Sequence, residues 1–126
     1  MKYDLLYLAA GALIAVYLRY KVTGENLFVG NLPVSVLLIN FFGSFILGAS
    51  STAVTELGLD ERYTLLIGVG FCGTLTTMST FAFETVNMAN VGELALAGAN
   101  VALNVGASLG AIILGRAVVT LLLGLG

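Results

Sequence analysis

Apolar residues fill four long stretches of this chain, and polar residues gather in the short gaps between them. The stretches run over about 4–22, 33–55, 63–88 and 94–123, with breaks at Thr23–Leu32, Glu56–Arg62 and Asn90–Glu93. A bilayer core of about 30 Å needs roughly 20 apolar residues in a helix, so each stretch is long enough to cross. The pattern predicts an all-α integral membrane protein of four transmembrane helices in one domain, residues 1–126. Pro33, the only proline, is expected in the first turn of the second helix, where its missing N–H costs nothing. The fourth stretch exceeds what a span needs and is expected to tilt or to start outside the core.

One segment departs from the apolar rule. Gly70-Phe71-Cys72-Gly73-Thr74-Leu75-Thr76-Thr77-Met78-Ser79-Thr80-Phe81 puts two glycines and five hydroxyl residues in the middle of the third span. Non-helical backbone at membrane depth survives only inside protein or beside an aqueous cavity. A break there can turn helix ends and free carbonyls toward an ion, as discontinuous helices do in transporters. The third helix is therefore expected to break near mid-membrane, and ion or small-solute handling is expected in place of simple anchoring.

Two polar stripes accompany the break. Asn40 and Ser44 share one face of the second helix, and Asn100, Asn104 and Ser108 line up on the fourth. Such groups avoid lipid and face the bundle or a cavity. Interhelical hydrogen bonding is the plain reading of each group alone, but the two stripes together with the broken third segment favour a polar route. Glu84 must pair, meet water or take up a proton; Arg19 is the natural candidate partner, with snorkelling to headgroups as its other use. Thr76, Thr77, Ser79 and Thr80 suit either a polar path or local satisfaction of a kinked backbone.

Composition agrees with a membrane protein and removes several classes. Hydrophobic residues make up 59% and charged residues 10% of the chain, and mean hydropathy is +1.04; soluble domains carry about 25% charged residues. Net charge is −2 with no basic cluster, so nucleic-acid binding is not indicated. With no histidine and one cysteine, neither an intrachain disulfide nor a thiolate metal cluster can form. No Walker-type loop and no acid–base constellation mark an enzyme. Lys2, Arg62 and Arg116 fall toward one membrane face and Arg19 and Lys21 toward the other. Such a small bias predicts insertion in both orientations and an antiparallel dimer. A dimer also answers the small interior that four helices leave for a pathway.

The segment Gly70–Phe81 resembles the signature of the Fluc/CrcB fluoride channels. Asn40-Phe41-Phe42-Gly43-Ser44-Phe45-Ile46-Leu47-Gly48 and the run from Gly11 to Arg19 support the resemblance, which covers essentially the whole chain. It implies a passive, selective fluoride channel in the cell membrane, built as an antiparallel dual-topology homodimer with two pathways. That channel would export cytoplasmic fluoride and protect against its toxicity. The resemblance further implies a structural Na+ at the dimer centre, held by backbone carbonyls of Gly73 and Thr76. Along the fluoride pathway it implies Asn40, Phe81, Thr77, Ser79, Thr80 and Ser108, with Arg19 and Glu84 at the pore ends. Met78 stands where the family motif usually has phenylalanine, a thioether filling the place of a ring edge. Asn104 stands where an aromatic hydroxyl residue is common, and Ile112 where a second serine can occur. These departures leave room for a heteromeric partner and for altered conductance. Two other readings fit the residues: a proton-coupled carrier with Glu84 as its titrating group, and a structural subunit of a membrane complex.

Overall fold

The computed structural model describes residues 3–25 and 27–125. Helix α1 spans Asp4–Gly24 and α2 spans Ser35–Glu56. The third span starts as a π-wound helix at Thr64–Cys72, continues through one α-turn, α3, at Gly73–Leu75, and resumes as α4 at Met78–Asn90. Helix α5 closes the chain at Leu94–Leu122. All four spans are long and apolar enough to cross a membrane. At about 1.5 Å per residue the 29-residue α5 is about 44 Å long, well beyond a hydrocarbon core.

Local chemistry sets the ends. Asp4 in the first turn of α1 and Lys21 in its last complement the helix dipole. The cations at either end of this region also lie over tyrosines: Lys21 over Tyr17 and Arg62 over Tyr7, each 5.8 Å from the ring centroid. Helices α2, α4 and α5 stop at Gly58, Gly92 and Gly124, whose φ angles are 60°, 86° and 67°. In each case the glycine N–H and the next N–H turn back onto two of the last helical carbonyls. Gly58 N bonds Thr55 O and Leu59 N bonds Val54 O, the first of three equivalent caps.

Between α1 and α2 the expected loop is a small hairpin. Strand β1, Phe28–Val29, pairs antiparallel with β2, Leu32–Pro33, around Gly30 at φ 60°. Pro33 thus lies in the hairpin and α2 begins two residues later. Ser35 fixes this arrangement, because its hydroxyl accepts from the Leu27 N–H at 3.0 Å while Val34 N bonds Leu27 O at 2.8 Å. With no N–H, proline suits a short edge strand as well as a helix start.

Packing follows two reciprocal glycine contacts. A Cβ on Gly48 of α2 would strike the Ile112 carbonyl of α5, and one on Gly115 of α5 would strike the Phe45 carbonyl of α2. Gly11 of α1 meets the Leu66 carbonyl of the π-wound helix in the same way, and Gly70 of that helix meets the Leu8 carbonyl. Close backbone approach replaces hydrophobic burial as the source of helix affinity in lipid. Gly106 and Gly110, also candidates for close contact, face open space within the chain. Gly115→Val is expected to lower stability by about 3 kcal/mol, at the upper end of the overpacking range, because the obstacle is rigid backbone. Denaturant unfolding in detergent measures it; Gly106→Val, placed against nothing in the chain, should leave the monomer's fold unchanged.

Candidate functional site

The third span breaks at two residues. Thr76 and Thr77 are extended, with φ and ψ of −71° and 149°, and −142° and 117°. Upstream, the π-winding makes Gly73 N–H bond the Gly68 carbonyl, five residues back. In an unbroken α-helix the N–H of Thr77 would bond Gly73 O, and that of Thr80 would bond Thr76 O. Side chains take both donors instead. The Asn40 Oδ1 accepts from Thr77 N at 2.8 Å, and the Thr77 Oγ1 accepts from Thr80 N at 3.3 Å. The carbonyls of Gly73 and Thr76 therefore lose their helical donors at the break.

Asn40 treats the Thr77 peptide as a strand neighbour would. While Oδ1 accepts from its N–H, Nδ2 donates to its carbonyl at 3.3 Å. The same Nδ2 donates to Asn104 Oδ1 at 3.1 Å. Asn104 donates onward to Asn100 Oδ1 and Asn100 O, at 2.9 and 3.1 Å. Asn100 donates to Thr85 Oγ1 at 3.0 Å, and Thr85 donates to the Phe81 carbonyl at 2.8 Å. Apart from the Asn40 bond back to Thr77 O, every link runs the same way, so the chain carries one polarity from the α4 start, through α2 and α5, back into α4. Aligned bonds of this kind polarise one another in a low-dielectric interior. Asn100 is only 1% exposed, and its amide would be costly there without these partners.

Around the break lies a cavity of about 280 Å³ lined by α2, the third span and Ser108 of α5. It gathers seven of the residues singled out in sequence: Asn40, Ser44, Gly73, Thr76, Thr77, Met78 and Ser108. Met78 is 73% exposed, so its thioether stands at the cavity rim. Ser79 joins the group through a 3.2 Å hydroxyl contact with Thr77, and Thr80 through one of 3.1 Å. Thr80 also lines a second cavity of about 300 Å³ with Arg19, Tyr20 and Thr23. Phe81 is buried within the chain and Asn104 is buried in the polar chain; neither lines the main cavity.

Glu84 lies elsewhere, in a third cavity of about 400 Å³ with Asn31, Asn87 and Glu93. No ion pair joins it to Arg19 among the described residues, and its Oε2 is buried without a hydrogen-bond partner. The two residues line different cavities, so the pairing considered from sequence does not form within one chain. Thr85 was not singled out in sequence. Its spacing of four from Phe81 signals an ordinary back-bond, and its tie to Asn100 depends on tertiary contact.

A bundle of four spanning helices, with a backbone break held open by side chains beside a cavity of mixed lining, defines a multi-pass membrane protein of the pathway type. Residues 6–116 match the family described as "CrcB-like protein, Camphor Resistance (CrcB)", and the chain belongs to that family. It is similar to the "Fluoride-specific ion channel FluC" of Nitrosopumilus maritimus, 39% identical over 117 residues and 93% of both chains. The protein of the same description from Methanococcus maripaludis is 36% identical over 113 residues, 90% of this chain and 93% of the relative. That from Shewanella amazonensis is 37% identical over 115 residues, again 90% and 93%.

Proposed function

We propose that this protein is a passive, fluoride-selective channel of the cell membrane and not an enzyme. Likeness to fluoride-specific channels over nine-tenths of the chain supports the reading, and the break is the structural observation that carries it. The first N–H groups of α4 and its positive dipole end favour an anion. Ser108 adds a hydroxyl to the same cavity. Thr77, Ser79 and Thr80 contribute further hydroxyls beside it. Asn40 shapes the wall, and Asn104 belongs to the frame that holds Asn40. Arg19 sits with Thr80 at one approach to the break, where a cation would raise local anion concentration. No coupled energy source is needed. Hydrogen fluoride enters from acidic surroundings and dissociates, and the membrane potential supplies about 2.3 kcal/mol per 100 mV to drive the anion out.

We further propose an antiparallel dimer with a Na+ at its centre. Among the described residues the basic side chains are divided two and two, Arg62 and Arg116 against Arg19 and Lys21, with Lys2 outside the described residues. That balance gives little preference for either orientation. The exposed Gly106 and Gly110 of α5 and the exposed Met78 and Phe83 of α4 provide faces for a second copy. For the cation, the donor set fits: Gly73 and Thr76 line one cavity, and both carbonyls have lost their helical donors. A hard cation takes oxygen ligands of this kind. Bound there, it would neutralise two carbonyl dipoles at membrane depth. Dialysis into sodium-free buffer is expected to reduce flux and dimer stability together, with no sodium current at any concentration.

The decisive experiment reconstitutes purified protein in liposomes loaded with potassium fluoride and follows external fluoride after valinomycin is added. Fast, valinomycin-dependent release with little chloride release from parallel vesicles is expected. Release that instead requires a proton gradient would replace the channel with a coupled carrier.

A further inference from the structure

The donors around the main cavity differ in one respect: most are already engaged. Both Asn40 Nδ2 hydrogens go to Thr77 O and Asn104 Oδ1. The Thr76 hydroxyl donates to Cys72 O at 3.0 Å, and Gly73 N–H is held by Gly68 O. Helical hydroxyls elsewhere follow the Thr76 habit. Thr23, Thr52, Thr55 and Thr85 each donate to a carbonyl four residues back. Among the described residues lining this cavity, two hydroxyls make no hydrogen bond at all, those of Ser44 and Ser108.

Ser44 is the sharper case. It is 8% exposed and lies one turn beyond Asn40 on the same face of α2, lining the cavity. Its hydroxyl opens onto the cavity without a partner, although back-bonding to the Asn40 carbonyl is the ready local alternative. The hydroxyl forgoes it.

Resting on the channel reading above, we propose that Ser44 is an ion-contacting residue, whose hydroxyl donates to the fluoride as it passes the break. Fluoride is small and strongly hydrated, so it leaves water only for good donors. A neutral O–H on an anion forms a short, charge-assisted bond without trapping the ion as a fixed cation would. Asn40, one turn away, supplies wall and orientation, whereas Ser44 supplies the free donor at that depth of α2. Ser108 faces the same space from α5, so an anion there meets hydroxyls from two helices.

The test compares wild type, Ser44→Ala and Ser44→Thr in the same liposome assay, with dimer content measured by crosslinking in each sample. Ser44→Ala, smaller and unable to clash, is expected to cut flux per dimer about tenfold, the effect of losing one charge-assisted bond. Ser44→Thr, keeping the hydroxyl, is expected to recover most of it. Wild-type flux in Ser44→Ala overturns the proposal, as does lost dimer with unchanged flux per dimer, which marks an interface role. Equal loss in both variants, at normal dimer content, also overturns it. Should wild type itself pass no fluoride, the channel reading fails, a result distinct from all of these.

Discussion

Asn40→Asp is expected to lower fluoride flux about a thousandfold while leaving the four spans assembled. The substitution keeps an acceptor for Thr77 N–H, the 2.8 Å bond that holds the break open. It removes the two donations to Thr77 O and Asn104 Oδ1, and it adds a negative charge to the cavity wall. At an effective dielectric constant of about 20, an anion about 4 Å away is opposed by about 4 kcal/mol. Each 1.36 kcal/mol or so is tenfold in rate, which gives about three orders of magnitude. Acidifying both sides of the liposome should restore part of the flux, since the protonated acid carries no charge. Protein-free vesicles correct for the leak of hydrogen fluoride. Pore closure by collapse of the break would show no such recovery, and wild-type flux would remove residue 40 from the wall.

That experiment turns on a contact between residues 37 apart in sequence, which marks the limit of what a linear reading contains. Hydrophobic pattern marks four spans, and the structure has four helices long and apolar enough to cross a membrane, because span length is set by the bilayer. The break was legible for a similar reason: Gly70, Gly73 and five hydroxyls weaken a helix locally, and the weakness is written in the segment itself. Its remedy was not. Asn40 and Ser44 could be put on one face by their spacing, but nothing local says that an amide on α2 will cap a peptide of the third span. The π-winding of Thr64–Cys72 carries no composition signal, since its residues read as an ordinary apolar helix. Pro33 misled for a physical reason, being equally suited to a helix start and to the short strand it occupies. Arg19 and Glu84 showed the opposite failure: opposite charges invite pairing, yet the fold sends them to different cavities.

Asn104 carries the second large prediction, one of stability. Asn104→Leu is expected to cost about 3 kcal/mol, because it strands several buried groups at once and each orphan costs about 1–3 kcal/mol. Asn40 loses an acceptor for one N–H, and Asn100 loses the donor to its Oδ1. The double variant Asn100→Leu with Asn104→Leu is expected to be more stable than Asn104→Leu alone. Removing Asn100 removes the orphaned amide, and Thr85 keeps its own bond to Phe81 O. Denaturant unfolding of the two single variants and the pair closes a double-mutant cycle, in which groups acting as a unit deviate from additivity. Additive costs would show that the amides act separately and that their common polarity has no energetic consequence. Flux per folded dimer separates frame from pathway in the same proteins. Asn40 remains tied to Thr77 by two bonds without Asn104, so conduction should survive the stability loss. A conduction defect as deep as that of Asn40→Asp would instead place the Asn104 amide against the ion.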